Sequence, residues 1–438
     1  MTAGLADGAS PLALARNRMQ GKGLWNDAQH LGRRFAIGCV ALEVTQRCNL
    51  DCSLCYLSES SEALQDVPLE ELFRRIDMIR AAYGPGTDVQ VTGGEPTLRR
   101  RDELLAVVRR VREAGMRPAL FTNGILAGRG LLEDLCAAGL VDVAFHVDMT
   151  QGRKGYACES ELNAVRAEYL ARVHGLPLAV YFNTTLFHGN VHELAGLVRF
   201  FVSRADAIRL ASFQLQADTG RGVEQGRPAS LTPQAVAAGI GLAAGTPLRF
   251  DAFDIGHPSC NRYAMALVAN GRVHDLLDDP ALARRVLAAT AGVAFARSNG
   301  RAALAALLRG LIHRPGVLAT GLPWLMRKLW HMRRDLLAAR ARVHKLSFFI
   351  HNFMHADNLD PDRIEACSFM VATGSGPVSM CSHNARRDDY LLAPVRLARI
   401  GWWDPASGRL SDSPLPPAPV RLTRKTARGK ARLPRAVA

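Results

Sequence analysis

The sequence predicts an α/β fold built on a parallel sheet, and three observations lead to this prediction. Short apolar runs typical of strands alternate with amphipathic segments typical of helices, from about residue 39 to residue 245. The alternation repeats six times, as expected for successive βα units. It stops after about residue 250, so the C-terminal part is expected to be built differently.

The predicted strands are short and apolar, and the segments between them carry apolar residues at helical spacing. The strands cover residues 39–44, 88–92, 117–122, 141–147, 178–185 and 208–214. The helices cover residues 69–82, 102–114, 130–138, 161–173 and 191–202.

Three cysteines follow the first strand, in the order Cys48, Cys52 and Cys55. Thiolates hold iron-sulfur clusters, and a four-iron cubane normally takes about four of them. The CxxxCxxC spacing therefore leaves one iron free to bind a small molecule. A structural zinc site is the alternative, but such sites are closed by about four ligands and usually pair two knuckles. No second knuckle is visible near this loop.

A second motif, VTGGEPTL, lies about one βα unit further along the chain. A buried strand is followed by Gly93, Gly94, Glu95 and Pro96, which predict a sharp turn. Glycines at such a turn allow backbone groups to approach a ligand closely. Alone, these four residues would be an ordinary turn more often than a site.

Together, the two motifs resemble those of the radical S-adenosylmethionine (radical SAM) enzymes. The resemblance implies a partial (β/α)6 TIM barrel, a [4Fe-4S] cluster on the three cysteines, and S-adenosylmethionine (SAM) on the open iron. It also implies that Gly93, Gly94 and Glu95 bind the methionine amino group, and that an external donor such as flavodoxin or ferredoxin supplies electrons. The family pattern has an aromatic residue just before the third cysteine. This chain has Leu54 there, followed after the cysteine by Tyr56, which we expect to contact the cofactor.

Polar residues at the ends of the later strands are further candidates for cofactor binding. In such barrels the functional residues gather at the C-terminal ends of the strands. We expect Asn123 and Asp148 first, then Asn183 and Gln214, to contact SAM or substrate, and His146 is a further candidate at the end of the same strand as Asp148. Pro96, in the glycine turn, is also expected to contact the cofactor. Each residue taken singly could instead cap its strand.

Three cysteines in the C-terminal part, Cys260, Cys367 and Cys381, lie in polar, turn-rich segments and are predicted to hold an auxiliary iron-sulfur cluster or iron centre. The other cysteines, Cys39, Cys136 and Cys158, are interpreted as small buried hydrophobes.

Four further segments resemble the radical SAM group that contains archaeal tetraether lipid synthase and enzymes linked to pterin methylation. They are HPSC, HNFMHADNLDPDRIEACSF, MCSHN and ASFQLQADTGR. In that group the corresponding cysteines serve additional metal centres. A fourth ligand is left open between His257, His383, Cys158 and a substrate atom. The cysteine-rich N-terminal module of the synthases has no counterpart in the first forty residues.

The net charge of +15 is concentrated in two segments. Residues 301–345 hold ten Lys and Arg against one acid, and residues 421–438 hold seven against none, so the remainder is close to neutral. We expect an N-terminal extension (1–35), a radical SAM core (36–250) and an auxiliary metal-binding region (251–300 and 346–400). A basic helical insert (301–345) and a disordered Pro-rich basic tail (401–438) complete the expected organisation.

Residues 322–337 combine an apolar stripe, tryptophans and basic residues, which suits an anionic membrane surface. A helix packed on its own barrel would show the same pattern. Nucleic acid is not an expected partner, because no motif with interleaved aromatic residues accompanies the basic segments. Neither a secretory signal nor a membrane span is visible, so we expect a cytoplasmic protein, peripheral at most to the inner face of a membrane.

The sequence thus predicts a radical SAM enzyme that generates a 5′-deoxyadenosyl radical and modifies an unactivated carbon of a lipid or other hydrophobic metabolite. Two alternatives remain open. One is radical SAM modification of a peptide or a pterin, and the other is a non-catalytic iron-sulfur protein.

Overall fold

The structure is a computed structural model that describes residues 38–58, 60–220, 231–398 and 401–416, together with residues 17, 20 and 21. Within these residues, one large sheet carries most of the strands. The strands are β1 (Cys39–Thr45), β2 (Asp88–Gly93), β3 (Arg117–Thr122), β4 (Asp142–His146), β5 (Ala179–Leu186), β6 (Ile208–Leu215), β7 (Asn261–Ala269), β8 (Arg272–Asp275), β9 (His344–Asn352), β10 (Phe369–Thr373), β11 (Gly376–Ser379), β12 (Val395–Leu397), β13 (Gly401–Trp403) and β14 (Leu410–Ser411).

Helices connect and cover these strands. They are α1 (Leu69–Tyr83), α2 (Arg101–Glu113), α3 (Arg129–Ala137), α4 (Asn163–Val173), α5 (Leu194–Ser203), α6 (Pro233–Ala244), α7 (Pro280–Ala289), α8 (Gly300–Leu311), α9 (Pro315–Ala338), α10 (Pro361–Glu365), α11 (Met380–Ala385) and α12 (Arg387–Leu391). No helix in the described part of the chain is both long enough and apolar enough to cross a membrane.

The large sheet has eleven strands in the order β11-β10-β1-β2-β3-β4-β5-β6-β9-β7-β8. The pairs from β10 and β1 through to β6 and β9 are parallel, and the three outermost pairs are antiparallel. The predicted α/β fold with a parallel sheet is therefore confirmed. The sequence pattern found the six strands from β1 to β6, whereas β9 and β10, which extend the parallel part on both sides, were not predicted.

The two ends of the parallel part approach each other through side chains. The ring of Phe369 on β10 lies 6.0 Å from that of Phe349 and 5.0 Å from that of His351, both on β9, measured between ring centroids. Among the described strands, β9 and β10 are not paired by hydrogen bonds. The sheet is therefore consistent with a partial barrel in which aromatic packing bridges the open seam.

Strand residues alternate between two environments, because successive side chains point to opposite faces of a sheet. On β1, Val40, Leu42 and Val44 belong to the apolar core that includes the inner faces of the helices. The intervening residues Ala41 and Glu43 face a central cavity. Burial of the outward apolar faces stabilises the sheet by the hydrophobic effect, and the inward faces are left to form a site.

The C-terminal part contains further helices and an additional small sheet. Helices α8 and α9 occupy most of residues 301–345, and Pro323 lies inside α9. Strands β13 and β14 fall within the segment expected to be a disordered tail, and they pair with β12 and with each other. The remaining tail residues 417–438, and all of the N-terminal extension except residues 17, 20 and 21, lie outside the described residues.

Candidate active site

A cavity of about 2260 Å³ occupies the interior of the partial barrel. Alternate residues of the strands line it, as Asp142, Ala144 and His146 do on β4. Its wall at the C-terminal ends of the strands is polar and includes the cysteine loop. Its wall beyond the N-terminal ends is formed by apolar side chains of α7, α8 and α9, among them Leu287 and Leu308.

The cysteine loop follows β1, and all three of its cysteines line the cavity. Cys48, Cys52 and Cys55 are half-buried, and none of them forms a disulfide. The loop is held from several sides. Ser53 N donates to Thr150 O at 2.9 Å, and Leu50 N donates to the Cys48 sulfur at 3.5 Å. Three thiols on one short loop face one cavity, and they would suit a [4Fe-4S] cluster whose fourth iron has no protein ligand. In the described part of the chain, these thiols do not as they stand form a group of three or more side chains that could hold a metal ion.

The glycine turn after β2 packs directly against this loop. Gly94 N donates to Thr45 O at 2.8 Å, and Glu95 N donates to Arg47 O at 2.8 Å. A Cβ atom on Gly93 would lie 2.0 Å from Thr45 O, and one on Gly94 would lie 2.1 Å from Arg47 O. Glycine is needed here because the backbone of the cysteine loop occupies the space of a side chain. The backbone of the turn and the loop thus form one unit at the cavity wall.

Glu95 is buried, and its carboxylate ties the ends of two strands together. It accepts from Thr97 N at 3.1 Å, Thr97 Oγ1 at 2.5 Å, Thr122 Oγ1 at 2.6 Å and Asn123 N at 2.7 Å. Burial raises the pKa of Glu95, although these hydrogen bonds oppose the increase. The side chain therefore organises the site by bonding to protein donors.

Glu43 is a buried carboxylate on β1 that the sequence reasoning missed. It accepts from Arg387 Nη2 at 2.6 Å and from Gln46 Nε2 at 2.8 Å. Burial alone would raise the pKa of Glu43, but the charge of Arg387, the charge of His383 and these hydrogen bonds lower it to about 2. No signal in the sequence pairs Glu43 with a residue 344 positions away. The hydrophobic run around Glu43 was itself the only hint that a carboxylate is buried there.

This ion pair makes the stability of the fold depend on pH. Because the pKa of Glu43 is about 2 in the folded chain against an ordinary value of 4.5, its contribution is fully present above pH 4.5 and is lost as the pH falls toward 2. The pKa difference corresponds to about 3 kcal/mol of free energy of unfolding. We expect Glu43→Gln to be less stable than wild type near neutral pH, and the difference to shrink as the pH falls.

Urea unfolding of the cluster-free protein between pH 7 and pH 2.5 measures this difference. Glu133→Gln is the matched control, because Glu133 pairs with Arg129 on the exposed face of α3. A stability difference between wild type and Glu43→Gln that stays constant over the whole pH range would contradict the assignment.

The strand-end residues predicted to contact the cofactor fall into two groups. Asn123, Asn183 and Gln214 line the cavity. Pro96 and Asp148 do not belong to its wall. Pro96 is buried at the start of a short 3-10 helix, which explains its position.

Asp148 is fully buried and accepts hydrogen bonds from Thr150, Thr185 and His146. Its pKa is lowered, because the His146 charge and these hydrogen bonds outweigh the effect of burial. His146, whose Nε2 donates to Asp148 at 2.6 Å, lines the cavity in its place. His146 is the other polar candidate at the end of this strand, and it lies two and four residues after the inward-facing Ala144 and Asp142.

A group of charged residues lies at the opposite end of the strands. Arg297, between α7 and α8, donates to Asp88 at 2.7 Å and also bonds to Asp142. Arg117 donates to the same Asp88 at 3.0 Å. These contacts attach the segment that carries α8 to the N-terminal ends of β2 and β4.

The structure brings Cys260, Cys367 and Cys381 into one neighbourhood outside the cavity wall. Burial raises the pKa of Cys381 to about 12, and Cys367 and Cys260 add to the increase. Arg363 Nε donates to the Cys260 sulfur at 3.3 Å, and Met354 N donates to the Cys381 sulfur at 3.5 Å.

The described residues contain no group of three or more His, Cys, Asp or Glu that could hold a metal ion as they stand. Of the candidates for a fourth ligand, His383 stacks on Tyr390 with ring centroids 5.3 Å apart, and burial lowers its pKa to about 4. His257 Nδ1 accepts from Ser259 N at 3.1 Å, and Cys158 contacts Ser160 at 3.0 Å.

Comparisons with known proteins agree with these features. A family model described as the Radical SAM superfamily matches residues 42–201. A 7,8-dihydro-6-hydroxymethylpterin dimethyltransferase from Methanocaldococcus jannaschii is 27% identical over 186 residues, which cover 41% of this chain and 36% of the relative. A PqqA peptide cyclase from Xanthomonas euvesicatoria is 29% identical over 180 residues, which cover 40% of this chain and 47% of that relative.

The chain therefore spans less than half the length of these two relatives. Among solved structures, Streptococcus suis SuiB bound to the precursor peptide SuiA superposes with a TM-score of 0.32 and 17% identity. That superposition covers 42% of this chain and 41% of SuiB.

Proposed function

The chain belongs to the radical SAM superfamily through residues 42–201, and from this premise we propose that it is an enzyme that cleaves SAM reductively and uses the radical on a hydrophobic substrate. Cys48, Cys52 and Cys55 would hold a [4Fe-4S] cluster. With the cluster and SAM bound, one electron from a flavodoxin or ferredoxin would be consumed in cleaving SAM to methionine and a 5′-deoxyadenosyl radical. The radical would remove hydrogen from an unactivated carbon.

One observation carries this proposal. The cysteine loop, the glycine turn and the strand-end amides of Asn123, Asn183 and Gln214 share the wall of one cavity. Beyond the ion pairs of Arg297 with Asp88 and Asp142, the far part of that cavity is lined largely by apolar side chains of α7, α8 and α9. The polar end offers thiols, backbone groups and amides that suit a cluster and the methionine, ribose and adenine groups of SAM. At the far end, the leucines of α7, α8 and α9 predominate and suit a hydrocarbon, while the paired charges of Arg297, Asp88 and Asp142 lie at its margin.

The size of the cavity also favours a large substrate. Sites for small molecules usually have volumes of about 300–1,000 Å³. The volume of about 2260 Å³ leaves considerable room once SAM is bound. Leu304, Leu308, Leu318 and Leu322 of α8 and α9 line the cavity and are accessible to solvent, so this end presents apolar surface to a bound molecule. We therefore propose a lipid or another hydrophobic metabolite as the substrate class.

The test is the cleavage of SAM to methionine and 5′-deoxyadenosine by the reconstituted protein under reducing, oxygen-free conditions. We expect both products in equal amounts. A protein with a full cluster and no cleavage would instead be a non-catalytic iron-sulfur protein.

A second candidate function is the modification of a peptide or a pterin, and the relatives favour it. Their names describe a pterin dimethyltransferase and a peptide cyclase. Product formation from a candidate peptide or pterin, together with no stimulation of SAM cleavage by lipid, would favour this alternative.

We also propose a second iron centre at Cys260, Cys367 and Cys381, with the fourth ligand unassigned. The mutual effect of these cysteines on their pKa values supports their proximity. None of the three lines the cavity. Uptake of an electron is therefore a better role for this centre than direct contact with substrate.

We further propose that α8 and α9 rest on an anionic membrane at its cytoplasmic face. Of fifteen large apolar residues that are exposed in the described chain, ten lie between Leu304 and Leu337. Exposed basic residues such as Arg327, Arg333 and Arg334 lie among them. Buried apolar area and attraction to anionic lipid add in such a contact.

Replacing Met326, Trp330 and Leu337 together with serine is expected to lower vesicle binding about tenfold or more, because each side chain contributes on the order of 1 kcal/mol when buried. These residues are 60%, 65% and 79% exposed and do not line the cavity. Sedimentation with vesicles of anionic phospholipid measures the binding. Leu242→Ser on α6 is the control, since Leu242 is 86% exposed but lies outside the basic segment. Equal partitioning of the triple variant and wild type would rule out this surface.

A further inference from the structure

Helices α11 and α12, close to the C-terminal end of the described chain, reach back to the cysteine loop. The contact is made by Arg387 at the start of α12, whose side chain is only 2% exposed. Its Nη2 donates to Glu43 Oε1 at 2.6 Å and to Gln46 Oε1 at 3.0 Å. Glu43 lies on β1 and Gln46 lies just before the first cysteine of the loop. Arg387 therefore fixes the segment from which the loop departs.

Arg387 also supports the other end of the loop. Its guanidinium carbon lies 4.8 Å from the centroid of the Tyr56 ring, in a cation–π arrangement. Tyr56 directly follows Cys55, and its hydroxyl donates to Gly93 O at 2.6 Å. A continuous series of contacts thus runs from Arg387 through Tyr56 to the glycine turn.

We propose that Arg387 is a positioning residue, which holds the cysteine loop and the Gly93–Gly94 turn in the relative orientation that SAM binding requires. This inference rests on the proposed function, because SAM is the ligand that would bridge the loop and the turn.

The physical reason is the immobility of a buried ion pair. Removing one partner of such a pair leaves the other charge buried and unpaired, which is strongly unfavourable. Arg387 can therefore not leave Glu43 without a large cost, and Tyr56 is held at one fixed position against it. A displacement of about 1 Å in a binding site can cost roughly 100-fold in rate, so this fixed position matters for a ligand that spans both segments.

The geometry also relates the two iron centres. Cys381 lies on α11, six residues before Arg387, and α11 and α12 are consecutive helices. The segment that supplies one ligand of the proposed second centre is thus the segment that supports the catalytic loop.

The experiment compares Arg387→Gln, Arg387→Lys and Tyr56→Phe with wild type. The control is Arg386→Gln, because Arg386 is exposed and pairs with Asp389 at the surface. Two quantities are measured. One is the dissociation constant of SAM for the cluster-loaded protein, by equilibrium dialysis, and the other is the rate at which iodoacetamide alkylates Cys55 in the cluster-free protein.

For Arg387→Gln we expect SAM affinity to fall between about tenfold and 100-fold, and alkylation of Cys55 to become at least about threefold faster, since the loop opens more often. Arg387→Lys is expected to restore part of the SAM affinity and part of the protection of Cys55 against alkylation. Tyr56→Phe leaves the ion pair between Arg387 and Glu43 intact. We expect this variant to bind SAM more weakly than wild type, with a smaller increase in the alkylation rate of Cys55 than in Arg387→Gln. Arg386→Gln should match wild type in both.

Wild-type SAM affinity and wild-type alkylation in Arg387→Gln would overturn the proposal. If Arg387→Gln does not fold, Tyr56→Phe provides the test. Unchanged SAM affinity in Tyr56→Phe would then overturn the proposal. Failure of wild type to bind SAM would contradict the proposed function instead. In that case the alkylation rates still show whether Arg387 holds the loop.

Discussion

Replacing Cys48, Cys52 and Cys55 together with alanine is expected to remove about four irons and four sulfides per chain and to reduce SAM cleavage to background. The reason is that, among the described residues, these three cysteines line the cavity at the C-terminal ends of the strands, whereas Cys39 lines it at the start of β1. Iron and sulfide analysis of anaerobically reconstituted protein, with assay of 5′-deoxyadenosine, measures both effects.

Cys136→Ala is the matched control for this experiment. Cys136 lies on α3 and packs against the apolar core, away from the cavity, so the variant should keep its full iron content and activity. Some iron is expected to remain in the triple variant if the second centre exists. Loss of that iron when Cys260, Cys367 and Cys381 are also replaced would be evidence for the second centre. Zinc in place of iron on the loop of wild type would contradict the whole assignment.

Replacing Gly94 with alanine is expected to have the next largest effect. The new Cβ would lie 2.1 Å from Arg47 O and 2.7 Å from Gln46 O. Both are backbone atoms of the segment leading into the cysteine loop, so they cannot move aside as a flexible side chain would. We expect the turn and the loop to separate, with SAM affinity at least about 100-fold lower and a lower temperature of unfolding. Equilibrium dialysis and thermal unfolding measure these two changes.

Gly130→Ala separates this clash from a general effect of losing a glycine. Gly130 lies inside α3, and no atom is within 4 Å of a Cβ atom placed there. Alanine is favoured over glycine in a helix by about 0.5–1 kcal/mol, so this variant should be slightly more stable and bind SAM normally. Normal SAM binding by Gly94→Ala would mean that the turn does not position the ligand.

The strands of the core were predictable because their period is local. Residues such as Val89 and Val91 on β2 alternate with Gln90 and Thr92, and a sheet places these two sets on opposite faces. The parallel arrangement of β1 to β6 follows from the helices between them. Strands β9 and β10 lie within segments of different composition, and the sequence offered no repeat that would join them to the sheet.

The strand-end residues show where this reasoning stopped. The positions of Asn123, Asn183 and Gln214 agreed with the cavity wall, since the ends of parallel strands meet at one edge. Asp148 was preferred to His146, but β4 ends at His146 and Asp148 lies buried beyond the strand, where it accepts a hydrogen bond from His146. The choice needed the hydrogen-bond partners of both side chains, which depend on Thr185 of a different strand.

By itself, the sequence determined the α/β class, the cysteine loop, the glycine turn and the basic helical segment, because each depends on residues close together along the chain. Only the tertiary structure decided that Arg387 supports Tyr56 and Glu43, that Cys260, Cys367 and Cys381 are neighbours, and that apolar helices continue the cavity of the barrel. These contacts join segments separated by up to several hundred residues. Such long-range contacts depend on how the sheet curves and on which side chains are buried together. Neither property can be predicted from a local sequence pattern.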